Sequence, residues 1–291
     1  MESSRIQALI TLLDDPNEDI FYQVENELLR QSIDVVPQLE TAWEQSTSEL
    51  FQLRMESIVH QLQFRYVKFE MARWIDGGAD DLLYGAYLVS RYQFPALQYS
   101  WVEAQINEIR KDIWFELSEH LTALDKVKAI NHIMFDVYKY TRNNINIMAA
   151  ENNFISEVLL TKKGNPVALS VIYIVVCQRL GLPVYGVNLP KNFIVSYLDS
   201  GELATRAITE GDVLFYVNPV NKGAVLGRKE IEFFLKQQKI QPQTSYFLPC
   251  RSNEEIVKRM LNNLLFAYET NNEMPKVKEI SEMMNLFSNF Y

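Results

Sequence analysis

The stretch that decides the fold begins at residue 165 and reads NPVALSVIYIVVCQRLGLPVYGVNLPKNF up to residue 193. Its Asn-Pro pair suits the cap and the first turn of a helix, and a long apolar run follows. Runs of β-branched and aromatic residues then stand at 184–187, 193–197 and 213–217, with turn residues between them. Such runs predict strands. We therefore predict an α+β core in which a helix over 165–180 packs on a small antiparallel sheet.

Four short motifs stand in order between residues 164 and 219. They are Gly164-Asn165-Pro166 before the apolar helix, Arg179-Leu180-Gly181-Leu182-Pro183 after it, Asn192-Phe193, and Asn218-Pro219. Their order and spacing resemble the core of the transglutaminase-like superfamily, and the similar region covers roughly residues 150–230. The subgroup that this chain resembles is bacterial and carries flanking helices and tetratricopeptide-type units. The resemblance implies a papain-like core.

The resemblance also assigns three positions to a catalytic triad. In the family a Cys begins the helix, a His before an aromatic residue starts one strand, and an Asp before a Pro ends the next. The matching residues here are Pro166, Asn192 and Asn218. Proline has no nucleophilic atom, and the asparagine amide transfers no proton near neutral pH. We therefore expect a replaced triad and no catalytic residue, while a purely structural interpretation of the two asparagines, as partners of backbone amides at strand ends, stays open.

Other residues of the block offer little chemistry. Ser170 lies one turn into the predicted helix and Glu157 lies just ahead of it, so both are possible cleft residues. Cys177 stands about three turns into the same helix, where a small buried thiol is expected. The three histidines (His60, His120, His132) fall in predicted helices outside the block. No metal or nucleotide motif occurs, so we expect neither a cofactor nor a metal.

The amino-terminal part of the sequence is a series of predicted helices. Apolar residues at helical spacing (Ile6, Leu9, Ile10, Leu13) indicate the first one. Asp15 is placed to cap the second, and Gly77-Gly78 ends a long helix that begins near residue 48. The short helices at the start resemble one HEAT-type unit. We predict a helical region over 1–115.

A helical hairpin is predicted at the carboxyl terminus. Its apolar faces would consist of Met260, Leu264 and Tyr268 on one helix and Val277, Ile280, Met284 and Phe287 on the other, with a break at Asn271-Asn272. A lone tetratricopeptide-like hairpin must dock its apolar face on another surface. We assign 116–245 to the transglutaminase-like core, with a hairpin turn at Asp199-Ser200-Gly201, and 246–291 to the terminal hairpin.

The overall charge limits the expected partners. The chain has 291 residues, with 28 Lys and Arg against 37 Asp and Glu, and a formal net charge of −9. This balance repels phosphate backbones and anionic membranes, so we expect no nucleic acid and no membrane partner. The sequence has two cysteines, which lie far apart, and no apolar stretch of signal-peptide or membrane-spanning length. We therefore expect a cytoplasmic protein.

Two functional hypotheses follow. The first is a non-catalytic, transglutaminase-like module that binds a protein or a peptide, because the triad positions carry no chemistry and helical flanks often form interaction surfaces. The alternative is a hydrolase or acyl transferase with a relocated, non-cysteine active site that uses Ser170 or Glu157. The sequence identifies neither the partner nor the oligomeric state.

Overall fold

The computed structural model describes residues 2–199 and 208–288. The chain forms two compact units, Met1–Ala72 and Arg73–Tyr291. Helices dominate, and within the described residues the strands form a four-stranded antiparallel sheet and a two-residue parallel pair. The predicted α+β class is confirmed. The three-part division with limits at 115 and 245 stays a prediction.

The first unit contains α1 (Glu2–Leu12), α2 (Glu18–Leu29), α3 (Val36–Gln45) and most of α4 (Glu49–Asp76). These helices share one core, in which Leu13, Leu28 and Leu39 are fully buried. The prediction that Asp15 caps α2 was wrong. Asn17 is the cap, because its Oδ1 accepts the Asp19 amide at 2.9 Å, whereas Asp15 Oδ1 accepts the amide of Asn17 at 2.8 Å and turns the chain once more before the helix.

The helices of the second unit are α5 (Leu82–Gln93), α6 (Tyr99–Glu116), α7 (Ala123–Asn131), α8 (Ile155–Thr161), α9 (Pro166–Arg179), α10 (Arg228–Gln237), α11 (Asn253–Thr270) and α12 (Met274–Asn285). Its strands are β1 (Thr141–Arg142), β2 (Lys163–Gly164), β3 (Val184–Val187), β4 (Ile194–Leu198), β5 (Val213–Asn218) and β6 (Ala224–Leu226). Strands β3 to β6 pair in chain order, and Val195 lies opposite Val217. The sequence did not predict β6, since three residues between turns carry too little pattern.

Helix α9 is the centre of the second unit. All eleven residues from Val167 to Cys177 are buried, so the helix has no solvent-facing side. It contacts β3 and β4 of the sheet, and it also contacts helices α5, α6, α8 and α11. The prediction of a helix over 165–180 that packs on an antiparallel sheet is therefore confirmed.

The terminal hairpin docks as an integral part of the second unit. Helix α11 ends at Thr270 and α12 begins at Met274, which confirms the predicted break. Helix α11 packs on α5 and α9, and the Tyr92 hydroxyl of α5 donates to Glu279 Oε2 of α12 at 2.7 Å. The apolar face of the hairpin is thus covered by the core rather than left for solvent.

None of the helices in the described ranges has the length and the apolar content that crossing a bilayer requires. The hairpin turn predicted at Asp199-Ser200-Gly201 lies outside the described residues from Ser200 onward.

Candidate functional site

The start of α9 is fixed by its cap. Asn165 Oδ1 accepts the Ala168 amide at 2.9 Å, and Pro166 fills the first helical position, where its missing N–H costs nothing. The Asn165 amide also donates to the Asn152 carbonyl at 3.2 Å. The helix start is therefore bound to the 3₁₀ turn Ala150–Asn153, which lies directly beside it in the structure.

A network of asparagines supports this helix start. Asn165 Nδ2 donates to Asn153 Oδ1, and Asn143 Nδ2 donates to Asn152 Oδ1 at 2.9 Å. Asn152 Nδ2 in turn donates to the Asn146 carbonyl at 2.7 Å. Because Asn152 and Asn153 are both buried, these bonds hold the loop 143–149 against the core.

A cavity of about 450 Å³ opens at this point, and we name it the α9 cleft. Pro166 and Asn192, two of the three positions that the family resemblance matches to a triad, both line it. The remaining lining residues come from the β1–α8 segment, the start of α9, the turn before β4, and α11: Arg142, Ile147, Met148, Ala149, Asn153, Asn165, Val167, Lys191, Arg259, Asn263, Phe266 and Ala267. The cleft therefore joins the helix start to one face of the terminal hairpin.

Asn218, the third position that the resemblance matches to a triad, lies at the end of β5. Asn218 extends the register in which Val195 faces Val217, so Asn192 and Asn218 are at the same end of neighbouring strands. Its Oδ1 is buried and has no hydrogen-bond donor among the described residues. Asn218 is not one of the residues that line the α9 cleft. The structure thus brings Pro166 and Asn192 to one cavity, and Asn218 does not line it.

The turn after Asn218 depends on a glycine. Gly223 has φ +70°, and a Cβ atom there would lie 2.0 Å from Asn131 Oδ1. Asn131 Nδ2 donates to the Gly223 carbonyl at 2.8 Å, and the Tyr173 hydroxyl of α9 donates to Asn131 Oδ1 at 3.1 Å. Only glycine accepts both the left-handed backbone and this close approach, which fixes the end of β5 to α9.

The two possible cleft residues lie elsewhere. Ser170 is completely buried, and its hydroxyl is 3.5 Å from the Phe193 carbonyl. Glu157 lines a separate cavity of about 360 Å³, together with Glu151, Glu273 and Lys276. Neither residue therefore lies in the cavity that holds Pro166 and Asn192.

Both thiols are held in their neutral form. Burial raises the pKa of the Cys177 thiol well above its ordinary range. Burial and the Glu255 carboxylate raise the pKa of Cys250 to about 12. Since the thiolate is the reactive species, neither cysteine is activated. Asn192 has a structural bond of its own, because its Oδ1 accepts the Phe193 amide at 2.8 Å.

The charge in the α9 cleft is opposite to that of the chain. Its lining contains three cations (Arg142, Lys191 and Arg259) and no carboxylate, although the chain as a whole carries −9. Arg259 Nε is buried without an acceptor among the described residues, and burial lowers the pKa of this guanidinium. The cleft therefore offers hydrogen-bond donors and positive charge to a ligand.

The contribution of α11 was missed by the sequence analysis. Arg259, Asn263 and Phe266 follow the i, i+4, i+7 spacing of one helix face, which is a readable signal. The sequence analysis named only the apolar stripe of this helix. The structure places Arg259, Asn263 and Phe266 in the lining of the α9 cleft.

The comparisons with known proteins cover the same region. The family model described as transglutaminase-like superfamily matches residues 100–262, a range that includes Pro166, Asn192 and Asn218. F-box only protein 21 of Mus musculus is 29% identical over 137 residues, which is 47% of this chain and 21% of that protein. The chain therefore spans about a fifth of that relative. No solved structure matches the chain.

Bacterial relatives align over longer stretches. A UPF0162 protein of Xylella fastidiosa (strain 9a5c) is 22% identical over 218 residues, 72% of each chain. Protein SirB1 of Salmonella typhimurium is 23% identical over 176 residues, 60% of this chain and 61% of that protein. The names of these bacterial relatives state no reaction.

Proposed function

The chain belongs to the transglutaminase-like superfamily, and we propose that it is a non-catalytic member that binds a protein or a peptide in the α9 cleft. The observation that carries this proposal is the composition of the cleft. Where the resemblance places a cysteine, Pro166 starts the helix, and asparagine amides, cations and exposed apolar side chains surround it. Amides and cations are groups that hold a ligand without reacting with it.

The alternative, a relocated active site, has less support. Ser170 has no access to solvent, and Glu157 belongs to another cavity. A nucleophile needs a base within hydrogen-bond reach, and the Ser170 hydroxyl donates to the Phe193 backbone carbonyl, which is not a base. We therefore favour binding over turnover.

The proposed setting is the cytoplasm. Cys177 and Cys250 are free thiols in the structure, which is the usual state in a reducing compartment. The net charge of −9 supports a protein or peptide partner over a nucleic acid or an anionic membrane.

The binding test uses the full chain and two variants of α11. Asn263→Trp places an indole in the α9 cleft, whereas Asn262→Trp places one on an exposed neighbouring position as a control. Peptides selected from a random library on the wild type should bind Asn262→Trp equally and lose roughly tenfold or more in affinity for Asn263→Trp. Equal binding to all three proteins would place the binding surface outside the cleft.

The catalytic test is a separate measurement. We expect no incorporation of a fluorescent amine into casein, no glutamine deamidation and no peptide hydrolysis above the level of the heat-denatured protein. Turnover that iodoacetamide abolishes, or that Cys177→Ser removes, would overturn the non-catalytic assignment.

A further inference from the structure

The cations of the α9 cleft come from three separate segments. Arg142 is on β1, Lys191 is in the turn before β4 and has φ +60°, and Arg259 is on α11. None of the three has an ion-pair partner within residues 2–199 and 208–288. Several other arginines do form ion pairs, as Arg5 with Glu27, Arg179 with Glu103 and Arg228 with Glu232 show. Lys191 Nζ donates only a long hydrogen bond, to Gln238 Oε1 at 3.5 Å, among the bonds of the described residues. Three cations without a carboxylate partner around one cavity therefore indicate a site for an external anion.

Arg259 strengthens this argument because it is partly desolvated. A guanidinium that loses water without gaining an acceptor is destabilised. A carboxylate from a ligand would accept hydrogen bonds from the planar guanidinium and so supply the missing partner. The amino-terminal end of α9 adds a partial positive charge to the same cavity.

The edge of the cleft is apolar. Ile147, Met148 and Phe266 line it and are 50%, 43% and 55% exposed. Exposed apolar side chains next to a polar cavity favour a ligand with an apolar group beside its charged ones. The amides of Asn192 and Asn263 also line the cleft, where they can bond to a peptide backbone.

We infer that the ligand of the α9 cleft is an acidic peptide segment, with carboxylates that bind Arg142, Lys191 and Arg259 and an apolar side chain that packs on Phe266. This inference rests on the proposed function and specifies its ligand. A nucleic acid fits less well, because a run of phosphates meets the repulsion of a chain with net charge −9, whereas a short peptide places two or three carboxylates only where the cations are.

The test measures fluorescence anisotropy with three labelled peptides of equal length. The first has the pattern Glu-Asp-Leu-Phe-Glu-Asp, the second replaces its acids by Gln and Asn, and the third replaces them by Lys. The full-length wild type should bind the acidic peptide at least roughly tenfold more tightly than the amide peptide, since charge-assisted bonds replace neutral ones. It should not bind the lysine peptide measurably.

Variants assign the binding to the cations. Arg259→Gln should weaken the acidic peptide roughly tenfold and change the amide peptide by less than about twofold. Lys258→Gln, the neighbouring position on α11 outside the cleft, is the matched control and should change neither. Because Arg259 is partly buried, the exposed Lys191→Glu is the second variant, and it should weaken the acidic peptide even if Arg259→Gln melts early.

The outcomes separate the two levels of the proposal. If Asn263→Trp abolishes binding of acidic and amide peptides alike and the charge variants have no effect, the acidic-ligand inference is wrong and the binding function stands. If no peptide responds to Asn263→Trp, both are wrong. Binding of oligouridylate that is lost in Arg259→Gln, without binding of the acidic peptide, would also overturn the inference in favour of a phosphate ligand.

Discussion

At the scale of single residues, Pro166 has a structural role at the position that the family resemblance matches to a cysteine. It starts α9 behind the Asn165 cap, at the place where the family resemblance puts a thiol. A helix start stabilises a thiolate through its dipole, so a cysteine placed at this position would have a lowered pKa. The triad assignment requires that the side chains at positions 192 and 218 reach the side chain at position 166.

Restoring those side chains tests the mapping. In the triple variant Pro166→Cys, Asn192→His, Asn218→Asp, the new thiol should react with iodoacetamide at pH 6 faster than Cys177 does, because the dipole and an imidazolium lower its pKa whereas burial raises that of Cys177. We expect little or no turnover, since catalysis also needs an oxyanion site. Pro166→Cys alone is the control. A thiol as slow as Cys177 would require withdrawal of the triad assignment.

The Cys250 thiol predicts a pH dependence of stability. Its pKa is about 12 in the folded chain, against an ordinary thiol value near 9, so above pH 9 the unfolded chain releases a proton that the folded chain keeps. The contribution of this thiol to the free energy of unfolding is therefore complete below pH 9. Above pH 9 the contribution declines by about 1.4 kcal/mol for each pH unit, until the pH reaches the pKa of the folded chain. Urea unfolding at pH 8 and pH 10.5 should show a smaller loss in Cys250→Ser than in the wild type. Equal losses would contradict a raised pKa.

At the scale of elements, one face of α11 packs in the core and the adjacent face lines the α9 cleft. One face packs on α5 and α9 through Met260, Leu264 and Tyr268, all nearly inaccessible to solvent. The adjacent face contributes Arg259, Asn263 and Phe266 to the α9 cleft. The hairpin that resembles a lone repeat therefore stabilises the core and lines the site at the same time.

Two alanine substitutions separate these faces. Leu264→Ala should lower the free energy of unfolding by about 2–5 kcal/mol, because it opens a cavity among fully buried neighbours. Phe266→Ala removes a side chain that is 55% exposed, so it should cost much less stability yet weaken peptide binding. Urea denaturation and peptide anisotropy measure both. If Phe266→Ala destabilises as much as Leu264→Ala, the face is structural and the rim of the cleft is misassigned.

At the scale of the whole molecule, the net charge repels an acidic ligand, whereas the cations of the α9 cleft attract it. A chain with net charge −9 repels an acidic ligand at long range, and three cations attract it at contact distance. Near physiological ionic strength the Debye length is about 8 Å, so the long-range term is largely screened while the contact pairs persist.

The salt dependence of binding follows from this balance. Between 0.15 and 0.5 M NaCl the affinity for the acidic peptide should fall roughly three- to tenfold. The reason is that the Debye length shortens as salt is added, so that the ion pairs between peptide and cleft are also screened. The amide peptide should be nearly insensitive to salt, and Arg259→Gln should show a shallower dependence for the acidic peptide. An affinity for the acidic peptide that rises with salt would mean that the repulsion of the whole chain dominates and that the three cations do not contact the ligand.

The sequence by itself determined the class of the fold and the order of its elements. The cap at Asn165, the apolar run from Val167 to Cys177 and the strands around Val195 and Val217 were all readable, because caps, helical spacing and β-branched runs involve residues that are neighbours in the chain. The same local logic was wrong at Asp15, where a second turn residue, Asn17, competed for the cap.

Only the tertiary structure decided where the site is and what lines it. Arg142, Lys191 and Arg259 are far apart in sequence, and nothing local indicates that β1, the turn before β4 and α11 meet at one cavity. In the structure Ser170 is buried and Glu157 lines another cavity, although both residues are close to Pro166 in the chain. Convergence of this kind depends on the packing of α9 against the sheet and the hairpin, which is a property of long-range contacts and not of any single segment.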